Sequence, residues 1–294
     1  MVLMSPAFRT VALIGRYKSR DVAEPLRLLG RFLADRGCAV LIEQETAVES
    51  GVDAFPMVDY AGIGANSDLA VVLGGDGSML SAARALAASG VPLVGVNQGR
   101  LGFMTDIALG AMTEQMTSIL AGRYTLESRT MLAAEVSRAA QRVFDTIALN
   151  DVVVSKGASG RLIELVVRID GQFIYDLRSD GLIVATPTGS TAYALSANGP
   201  IIQPSVPAFA LVPISPHTLS NRPIAVSDAC TVELALKHGA DARMQCDGQP
   251  QFDLLEGDRV TARRGPHVVK LVHPQGHGYY AMLREKLHWS ENPF

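Results

Sequence analysis

Apolar runs that alternate with segments of helical spacing predict an α/β arrangement in the first part of the chain. The runs predict strands at residues 10–14, 39–43, 69–73 and 91–96. Helices are predicted between them at residues 21–36, 78–88 and 105–121. Gly37 and Gly90 stand where glycine is expected to end the first two helices. The pattern therefore predicts a Rossmann-like α/β domain over residues 1–125.

From about residue 126 the pattern changes to alternating and β-branched runs, which turn residues separate. Strands are predicted at residues 131–137, 143–149, 162–169, 173–177, 181–185, 230–236, 242–246, 258–262 and 268–272. Asp170 and Gly171 join two of them and favour a type I′ hairpin turn. We therefore expect a β-rich, β-sandwich-like second domain over residues 126–265. Residues 266–294, with a helix predicted at 279–287, are expected to return to the first domain.

Composition and charge exclude several classes of partner. The chain has 48% hydrophobic and 19% charged residues, as globular proteins do. Its formal net charge of −3 gives no general attraction to nucleic acid or to an anionic membrane. No apolar stretch reaches the ~18 residues of a membrane span. The three cysteines, Cys38, Cys230 and Cys246, are far apart and suit a reducing compartment. We expect a cytoplasmic protein with buried thiols.

The residues Gly74-Gly75-Asp76-Gly77 lie between a predicted strand and a predicted helix. Glycines there permit positive φ and the close approach of a ligand, and the helix start offers N–H groups to a phosphate. The Asp76 carboxylate beside such a site would serve as a base or bind a metal. The alternative is a glycine-rich turn with a solvated aspartate.

Two other loops are expected at the same edge of the sheet. The first strand is followed by Arg16 and Lys18, which would meet phosphates or form a solvated basic turn. Only Gly15 stands where the Gly-x-Gly-x-x-Gly fingerprint needs three glycines, so an ordinary dinucleotide-binding dehydrogenase is disfavoured. The glycine-bearing loop at residues 97–103 follows the fourth strand.

The β-rich half carries its own polar groups. Asn150 and Asp151 would bond a ribose or an amide, or simply end a strand. The segment at residues 186–196 contains five hydroxyls and Tyr193, which suits the polar edges and the ring of a nucleotide, and it also suits a helix N-cap. His267, His273 and His277 have no zinc-binding pattern and are expected to be structural or exposed.

In this order, five motifs resemble those of the bacterial NAD kinases: residues 74–78, 97–103, 150–151, 180–193 and 216–223. The resemblance extends over residues 11–289. It implies an α/β domain, a β-rich NAD-binding domain and a C-terminal segment that returns to the first. A Gly-Gly-Asp-Gly motif alone is shared with diacylglycerol kinases, sphingosine kinases and phosphofructokinases. In one departure, Ala185 stands where serine is usual.

The resemblance implies transfer of the γ-phosphoryl group of ATP to the 2′-hydroxyl of the adenosine ribose of NAD, which makes NADP. It assigns Asp76 as the proton acceptor and implies Mg²⁺, or another divalent metal, with no metal ligands assigned on the chain. The implied nucleotide-binding residues are Asp76, Gly77, Asn150, Asp151, Arg161, Arg178, Asp180, Thr191, Ala192, Tyr193, Ala194, Leu195, Ser196 and Gln249. Family members are commonly homotetramers or homodimers.

Two other functions remain open at the level of the sequence. A lipid kinase would share the Gly-Gly-Asp-Gly domain, although the segment at residues 186–193 argues against it. A regulatory module that binds NAD(H) would keep the pocket without catalysis, and an intact Asp76 disfavours it. Whether polyphosphate replaces ATP, and whether NADH is accepted, is also left open.

Overall fold

The computed structural model describes residues 7–15, 20–99, 102–158, 160–218, 220–276 and 278–289. The chain forms two compact units: residues 1–128 with 269–294, and residues 129–268. The sequence pattern predicts these boundaries after residues 125 and 265. The chain passes from one unit to the other within two long strands, Tyr124–Arg138 and Arg259–Pro274.

Strands and helices alternate in the first unit, as the sequence predicts. They are β1 (Thr10–Gly15), α1 (Ala23–Ala34), β2 (Ala39–Glu43), α2 (Gln44–Ser50), β3 (Met57–Val58), α3 (Tyr60–Asn66), β4 (Leu69–Gly74), α4 (Asp76–Leu86), β5 (Leu93–Asn97), β6 (Ile107–Ala108) and α5 (Met112–Leu120). The strands pair in parallel in the order β3-β2-β1-β4-β5, and β6 pairs with β5. The carboxyl ends of β1, β2, β4 and β5 therefore share one edge of the sheet.

Helices cover both faces of this sheet, so its central strands are buried along their length. Every residue of β4 and β5 is buried. Leu13 and Val71 of the strands pack with Leu26 and Leu29 of α1 in one core. The sheet therefore gives a rigid base to the loops that follow its carboxyl ends.

One predicted helix in this unit is wrong over its first turns. Residues 105–121 form β6, a 3-10 helix at Leu109–Ala111 and α5, rather than one continuous helix. Ile107 is buried where β6 pairs with β5, and Asp106 is hydrogen-bonded to His273. These contacts override the local helical spacing.

The second unit is built almost entirely of strands. They are β7 (Tyr124–Arg138), β8 (Gln141–Ala148), β9 (Asp151–Ser155), β10 (Ile163–Ile169), β11 (Gln172–Ser179), β12 (Gly181–Ala185), β13 (Ala208–Ile214), β14 (Ile224–Ser227), β15 (Val232–His238), β16 (Arg243–Cys246), β17 (Gln249–Asp253) and β18 (Arg259–Pro274), with the short helix α6 (Tyr193–Ser196). One sheet has the order β11-β10-β15-β18, with β7 and β8 alongside; the other has the order β14-β13-β12-β9-β16-β17.

The inner faces of these two sheets form one apolar core, which contains Val152, Leu165, Val184 and Phe209. This confirms the expected β-sandwich. Asp170 and Gly171 have φ values of 51° and 78°, which confirms the type I′ turn between β10 and β11. The predicted strands at residues 258–262 and 268–272 are wrong in one respect, because they are a single strand, β18.

The last helix, α7 (Tyr279–Leu287), has the predicted bounds and buries Met282 and Leu283. It belongs to the first unit, which confirms the returning C-terminal segment. The three cysteines are buried thiols that form no disulfide bond, and burial raises the pKa of Cys38. No helix in the described part of the chain has the length and apolar character needed to cross a membrane.

Candidate active site

The Gly-Gly-Asp-Gly motif forms a strand-to-helix turn. Strand β4 ends at Gly74, Gly75 is the N-cap of α4, and Asp76 is the first residue of the helix. The expectation of positive φ is wrong here, since Gly75 has φ −113° and neither Gly74 nor Gly77 has positive φ. A Cβ atom built on Gly75 or Gly77 would meet open space. The glycines thus leave the helix start, with its unpaired N–H groups, open to a ligand.

The Asp76 carboxylate is hydrogen-bonded to the segment that follows β5. Its Oδ2 atom accepts a hydrogen bond from the Phe103 backbone N–H at 2.8 Å. Its Oδ1 atom accepts from the Met104 N–H at 3.0 Å and from the Thr105 hydroxyl at 3.3 Å. A carboxylate oxygen has two lone pairs, so Oδ2 can still accept another proton donor. Asp76 is therefore an oriented acceptor rather than a freely rotating surface group.

The Thr105 hydroxyl is itself oriented by its neighbours. It accepts hydrogen bonds from the Asn97 side-chain amide at 2.8 Å and from the Gly102 N–H at 3.2 Å. Its proton is thereby directed to Asp76. A Cβ atom on Gly102 would lie 2.0 Å from the Asp76 Oδ1 atom, so only glycine fits beside this carboxylate. Arg100 and Leu101 of the same motif lie outside the described residues, as do Arg16 and Lys18.

A cavity of about 410 Å³ opens beside Gly77 and Ser78, at the carboxyl ends of β1 and β2. Its polar lining consists of hydroxyls and carboxylates from Glu43, Glu45, Thr46, Tyr60, Ser78 and Ser81. Ser78 belongs to the motif at residues 74–78. Sequence patterns did not indicate Glu43, Glu45, Thr46 or Tyr60, because α2 and α3 are short and only Asp59, which caps α3, gives a recognisable start signal.

The buried Glu43 side chain is part of the wall of this cavity. It accepts hydrogen bonds from the Glu45 N–H at 2.9 Å and from the Thr46 N–H and hydroxyl at 2.6 and 2.7 Å. Burial, followed by the charges of Glu43 and Glu45, raises the pKa of Tyr60 to about 12. Tyr60 therefore presents a neutral hydroxyl to whatever occupies the cavity.

In the second unit, Asn150 and Asp151 are held by Asp247, which no sequence pattern indicated as a site residue. The Asp247 carboxylate accepts from the N–H groups of Leu149, Asn150 and Asp151 at 3.0, 2.7 and 3.3 Å. Asp247 and Gly248, with φ 51° and 74°, form the turn between β16 and β17. The Asp-Gly pair was the available signal, since it is the same turn motif as Asp170-Gly171.

Asn150 and Asp151 both carry polar groups that are shielded from water. The Asn150 Oδ1 atom is buried and has no hydrogen-bond partner among the described residues. Asp151 is only 3% exposed. Burial, followed by the charge of Asp247, raises the pKa of Asp151 to about 7. This pair is therefore more than the ordinary end of a strand.

The raised pKa of Asp151 predicts a pH dependence of stability. The native state holds this proton more tightly than the unfolded chain, in which the pKa of the group is 3.8. The free energy of unfolding therefore falls as the pH rises from 3.8 to about 7. The fall is on the order of 4 kcal/mol for this group alone. Urea unfolding across this pH range should show a smaller fall in Asp151→Asn, and identical slopes would contradict the assignment.

The hydroxyls at residues 186–196 divide into two groups. Thr186 donates to the Leu149 carbonyl at 2.6 Å and accepts from the Gly189 N–H at 3.1 Å. Ser190 donates to the Pro187 carbonyl at 2.6 Å and accepts from the Ile202 N–H. These buried hydroxyls fix the turn. The N-cap expectation is wrong, because the N-cap residues Thr188 and Ala192 make no side-chain hydrogen bond to the helices that follow them. Tyr193, 44% exposed, and Ser196 remain accessible to a ligand.

A second cavity, of about 290 Å³, lies beside this accessible group. It is lined by Tyr193, Ser196 and Asn198, and by Asn221 and Arg222 of the motif at residues 216–223. The structure thus brings two sequence motifs of the second unit to one cavity. Within the turn, Asn150 and Thr186 are also joined, because the Asn150 carbonyl accepts from the Thr186 N–H at 2.8 Å.

The remaining candidate residues lie at more exposed positions. Asp180 pairs with Lys156 at 2.6 Å rather than with Arg178. Arg178 is 60% exposed and lies 3.9 Å from Glu164. Arg161 and Gln249 are exposed, on the loop before β10 and at the start of β17.

The described residues contain no group of three or more His, Cys, Asp or Glu side chains that could hold a metal ion. Mg²⁺ at phosphoryl-transfer sites is usually held by one or two carboxylates together with the phosphates of the substrate.

Comparison with known proteins identifies both parts of the chain. Residues 11–124 match the family described as the ATP-NAD kinase N-terminal domain, and residues 149–274 match the ATP-NAD kinase C-terminal domain. An NAD kinase from Aromatoleum aromaticum is 57% identical over 99% of this chain and 97% of its own. An NAD kinase from an Azoarcus species is 55% identical over 99% of each chain.

Two solved structures share the fold at lower identity. Yeast NADH kinase complexed with NADH has a TM-score of 0.88 and 23% identity, and the match covers 98% of this chain and 89% of the yeast chain. An NAD kinase from Archaeoglobus fulgidus in complex with ATP has a TM-score of 0.71 and 23% identity, with 95% and 98% covered.

Proposed function

The chain belongs to the NAD kinase family, and we propose that Asp76 is the proton acceptor when the γ-phosphoryl group of ATP is transferred to the 2′-hydroxyl of the adenosine ribose of NAD. As a member of this family the protein is a phosphotransferase that makes NADP. The observation that carries the proposal is the orientation of the Asp76 carboxylate by three hydrogen-bond donors.

A ribose hydroxyl is a weak nucleophile until its proton is removed. A fixed carboxylate can take that proton as the new O–P bond forms, and such general-base catalysis typically contributes 10²–10⁴-fold. The attacking oxygen then carries the phosphoryl group, the leaving oxygen stays on ADP, and Asp76 later releases its proton to water. The amino end of α4 begins at Asp76 and favours negative charge on a phosphoryl group beside it.

The donor in this proposal is ATP with a bound divalent metal, Mg²⁺ or another. The metal, held mainly by the triphosphate oxygens, would neutralise charge on the transferred group. The hydroxyls of Ser78, Ser81 and Tyr60 beside Gly77 suit the polar edges of a nucleoside, which supports ATP rather than polyphosphate.

We assign the NAD contacts of the second unit to Asn150 and Asp151, with Tyr193 as a stacking surface. The orphaned Asn150 Oδ1 atom supports an adenosine contact, because a buried acceptor without a partner is costly. The other proposed contacts are Arg161, Arg178, Asp180, Thr191, Ala192, Ala194, Leu195, Ser196 and Gln249. The family resemblance further supports a cytoplasmic homo-oligomer, a tetramer or a dimer.

Gly102→Ala tests the role of Asp76 without removing its carboxylate. The added methyl would lie 2.0 Å from the Asp76 Oδ1 atom and 2.5 Å from the Thr105 hydroxyl, so the carboxylate has to move. Because small displacements of a catalytic group are costly, we expect kcat for NADP formation to fall about 100-fold with little change in NAD affinity. NADP is measured with an NADP-specific dehydrogenase. A variant with wild-type kcat would show that the position of Asp76 does not matter.

A further inference from the structure

A buried histidine bridges two carboxylates close in sequence to the segment that holds Asp76. His273 lies near the end of β18 and is only 2% exposed. Its Nδ1 atom is 2.9 Å from the Asp106 Oδ2 atom, and its Nε2 atom is 3.1 Å from the Glu127 Oε2 atom. Neither the proton transfer nor the nucleotide contacts proposed above use this cluster.

The geometry defines the protonation state of the ring. Both nitrogens face carboxylate oxygens, and both can donate only when the ring is an imidazolium. Burial on its own lowers the pKa of His273, but the hydrogen bonds and charges of Asp106 and Glu127 outweigh it and the pKa is raised. On the side of α7, Glu285 and Lys286 line a cavity of about 160 Å³ with Asp106.

Asp106 connects the histidine to the motif aspartate by a short path. It directly follows Thr105, and residues 103–105 make the three hydrogen bonds to the Asp76 carboxylate that are described above. At the other end of the path, Leu271 of β18 pairs with Leu93 of β5, so His273 stands on a strand of the same rigid sheet.

The segment has little room to relax on its inner side. A Cβ atom on Gly95 would lie 2.4 Å from the Met104 carbonyl oxygen and 2.8 Å from the Thr105 Cα atom. The backbone of residues 104–105 thus rests directly on β5, and His273 holds it from beyond Thr105. Without the His273–Asp106 contact, only the side that faces β5 would still be blocked. A change at Asp106 is therefore expected to let residues 103–105 move, and with them the three groups that donate hydrogen bonds to Asp76.

We propose that His273 is a positioning residue for phosphoryl transfer, which acts through Asp106 to hold residues 103–105 and, through them, the Asp76 carboxylate. This inference rests on the proposed role of Asp76. It goes beyond that role because it names a residue that touches neither substrate and yet sets the rate of the chemical step.

The test compares the two carboxylates on the same imidazolium. Asp106→Asn and Glu127→Gln each remove one charge and keep an acceptor, but only Asp106 is part of the segment that holds Asp76. We expect kcat to fall about 10- to 100-fold in Asp106→Asn and in His273→Gln, with KM for NAD within about threefold of wild type. The fall in kcat should be far smaller in Glu127→Gln. The exposed His238→Gln should keep wild-type kcat.

Stability and pH separate positioning from a general structural role. Urea unfolding of all four variants gives the loss of stability, and Asp106→Asn and Glu127→Gln should lose similar amounts. The wild-type kcat should fall when an alkaline pH removes the His273 proton, and this fall should be absent in His273→Gln. If His273→Gln does not fold, the proposal is tested by the kcat of Asp106→Asn, which keeps the histidine, compared with that of Glu127→Gln.

Equal loss of kcat in Asp106→Asn and Glu127→Gln would overturn the proposal, and so would a wild-type kcat in Asp106→Asn. An active Asp76→Asn variant would instead contradict the proposal that Asp76 is the proton acceptor. The two failures are thus distinguishable, because the comparison of Asp106 with Glu127 is made with Asp76 intact.

Discussion

Replacing Asp76 with asparagine is expected to lower kcat for NADP formation about 10³-fold, while NAD binding stays close to that of the wild type. The expected loss follows from the contribution of a positioned general base. The amide can accept hydrogen bonds at one atom only, so its NH₂ group would face a backbone N–H or the Thr105 hydroxyl. We therefore also expect a loss of about 1–3 kcal/mol in stability. Steady-state kinetics and calorimetry with NAD measure both effects.

Asp68→Asn is a matched control for this variant. Its carboxylate also accepts two backbone hydrogen bonds, from Arg9 and Thr10 at 2.9 Å each. It precedes β4, at the opposite end of the strand from Asp76. The control should lose stability and keep kcat. If Asp76→Asn behaved in the same way, the carboxylate would be a loop anchor without a catalytic role.

Gly189→Ala is expected to disrupt the second unit more than any other single added methyl group. Its Cβ atom would lie 2.0 Å from the Asn150 carbonyl oxygen and 2.4 Å from the carbonyl carbon. Because these are backbone atoms, the turn has to move away and the Thr186–Asn150 hydrogen bond is lost. We expect a loss of about 3 kcal/mol in stability, at the upper end for overpacking, together with weaker NAD binding.

Urea unfolding and calorimetry test this prediction, with Gly110→Ala as the control. Gly110 lies in the 3-10 helix of the first unit, and a Cβ atom there would meet nothing within 4 Å. It should behave as the wild type in both measurements. Unchanged stability and NAD affinity in Gly189→Ala would mean that the contact of the turn with Asn150 is dispensable.

Elements with a strong local signal were predicted closely from the sequence. Strands β2 and β12 and helix α7 have the bounds that the sequence predicts, since apolar runs, turns and caps mark both of their ends. The type I′ turn at Asp170-Gly171 follows from two residues that tolerate positive φ. Such elements depend mainly on neighbours in the sequence.

Elements that depend on distant contacts were missed or wrong. Strand β9 begins at Asp151, a residue that was expected either to contact a nucleotide or to end a strand. The strand forms because β12 and β16 pair with it on either side. The predicted helix at residues 105–121 loses its first turns to the contacts of Ile107 and Asp106. Contacts between residues distant in the sequence decide both cases, and the local spacing of apolar residues carries no information about such contacts.

In the candidate site, too, residues with a strong local signal were predicted from the sequence and residues that act through distant contacts were not. The Gly-Gly-Asp-Gly turn and the Asn150-Asp151 pair were identified from residue types that stand out locally. The partners that orient them were not, because Phe103 and Met104 donate through backbone N–H groups that any residue has. Asp247 is 98 residues from Leu149 along the chain, and His273 is 167 residues from Asp106. Only the fold reveals these contacts.

The role of Asp76 as proton acceptor is tested by the rate of phosphoryl transfer in a single turnover, with enzyme in excess over NAD and with saturating ATP and Mg²⁺. This rate isolates the chemical step from product release. We predict rapid NADP formation by the wild type and a rate about 10³-fold lower in Asp76→Asn, with NAD bound in both. Equal single-turnover rates would show that Asp76 does not take the proton.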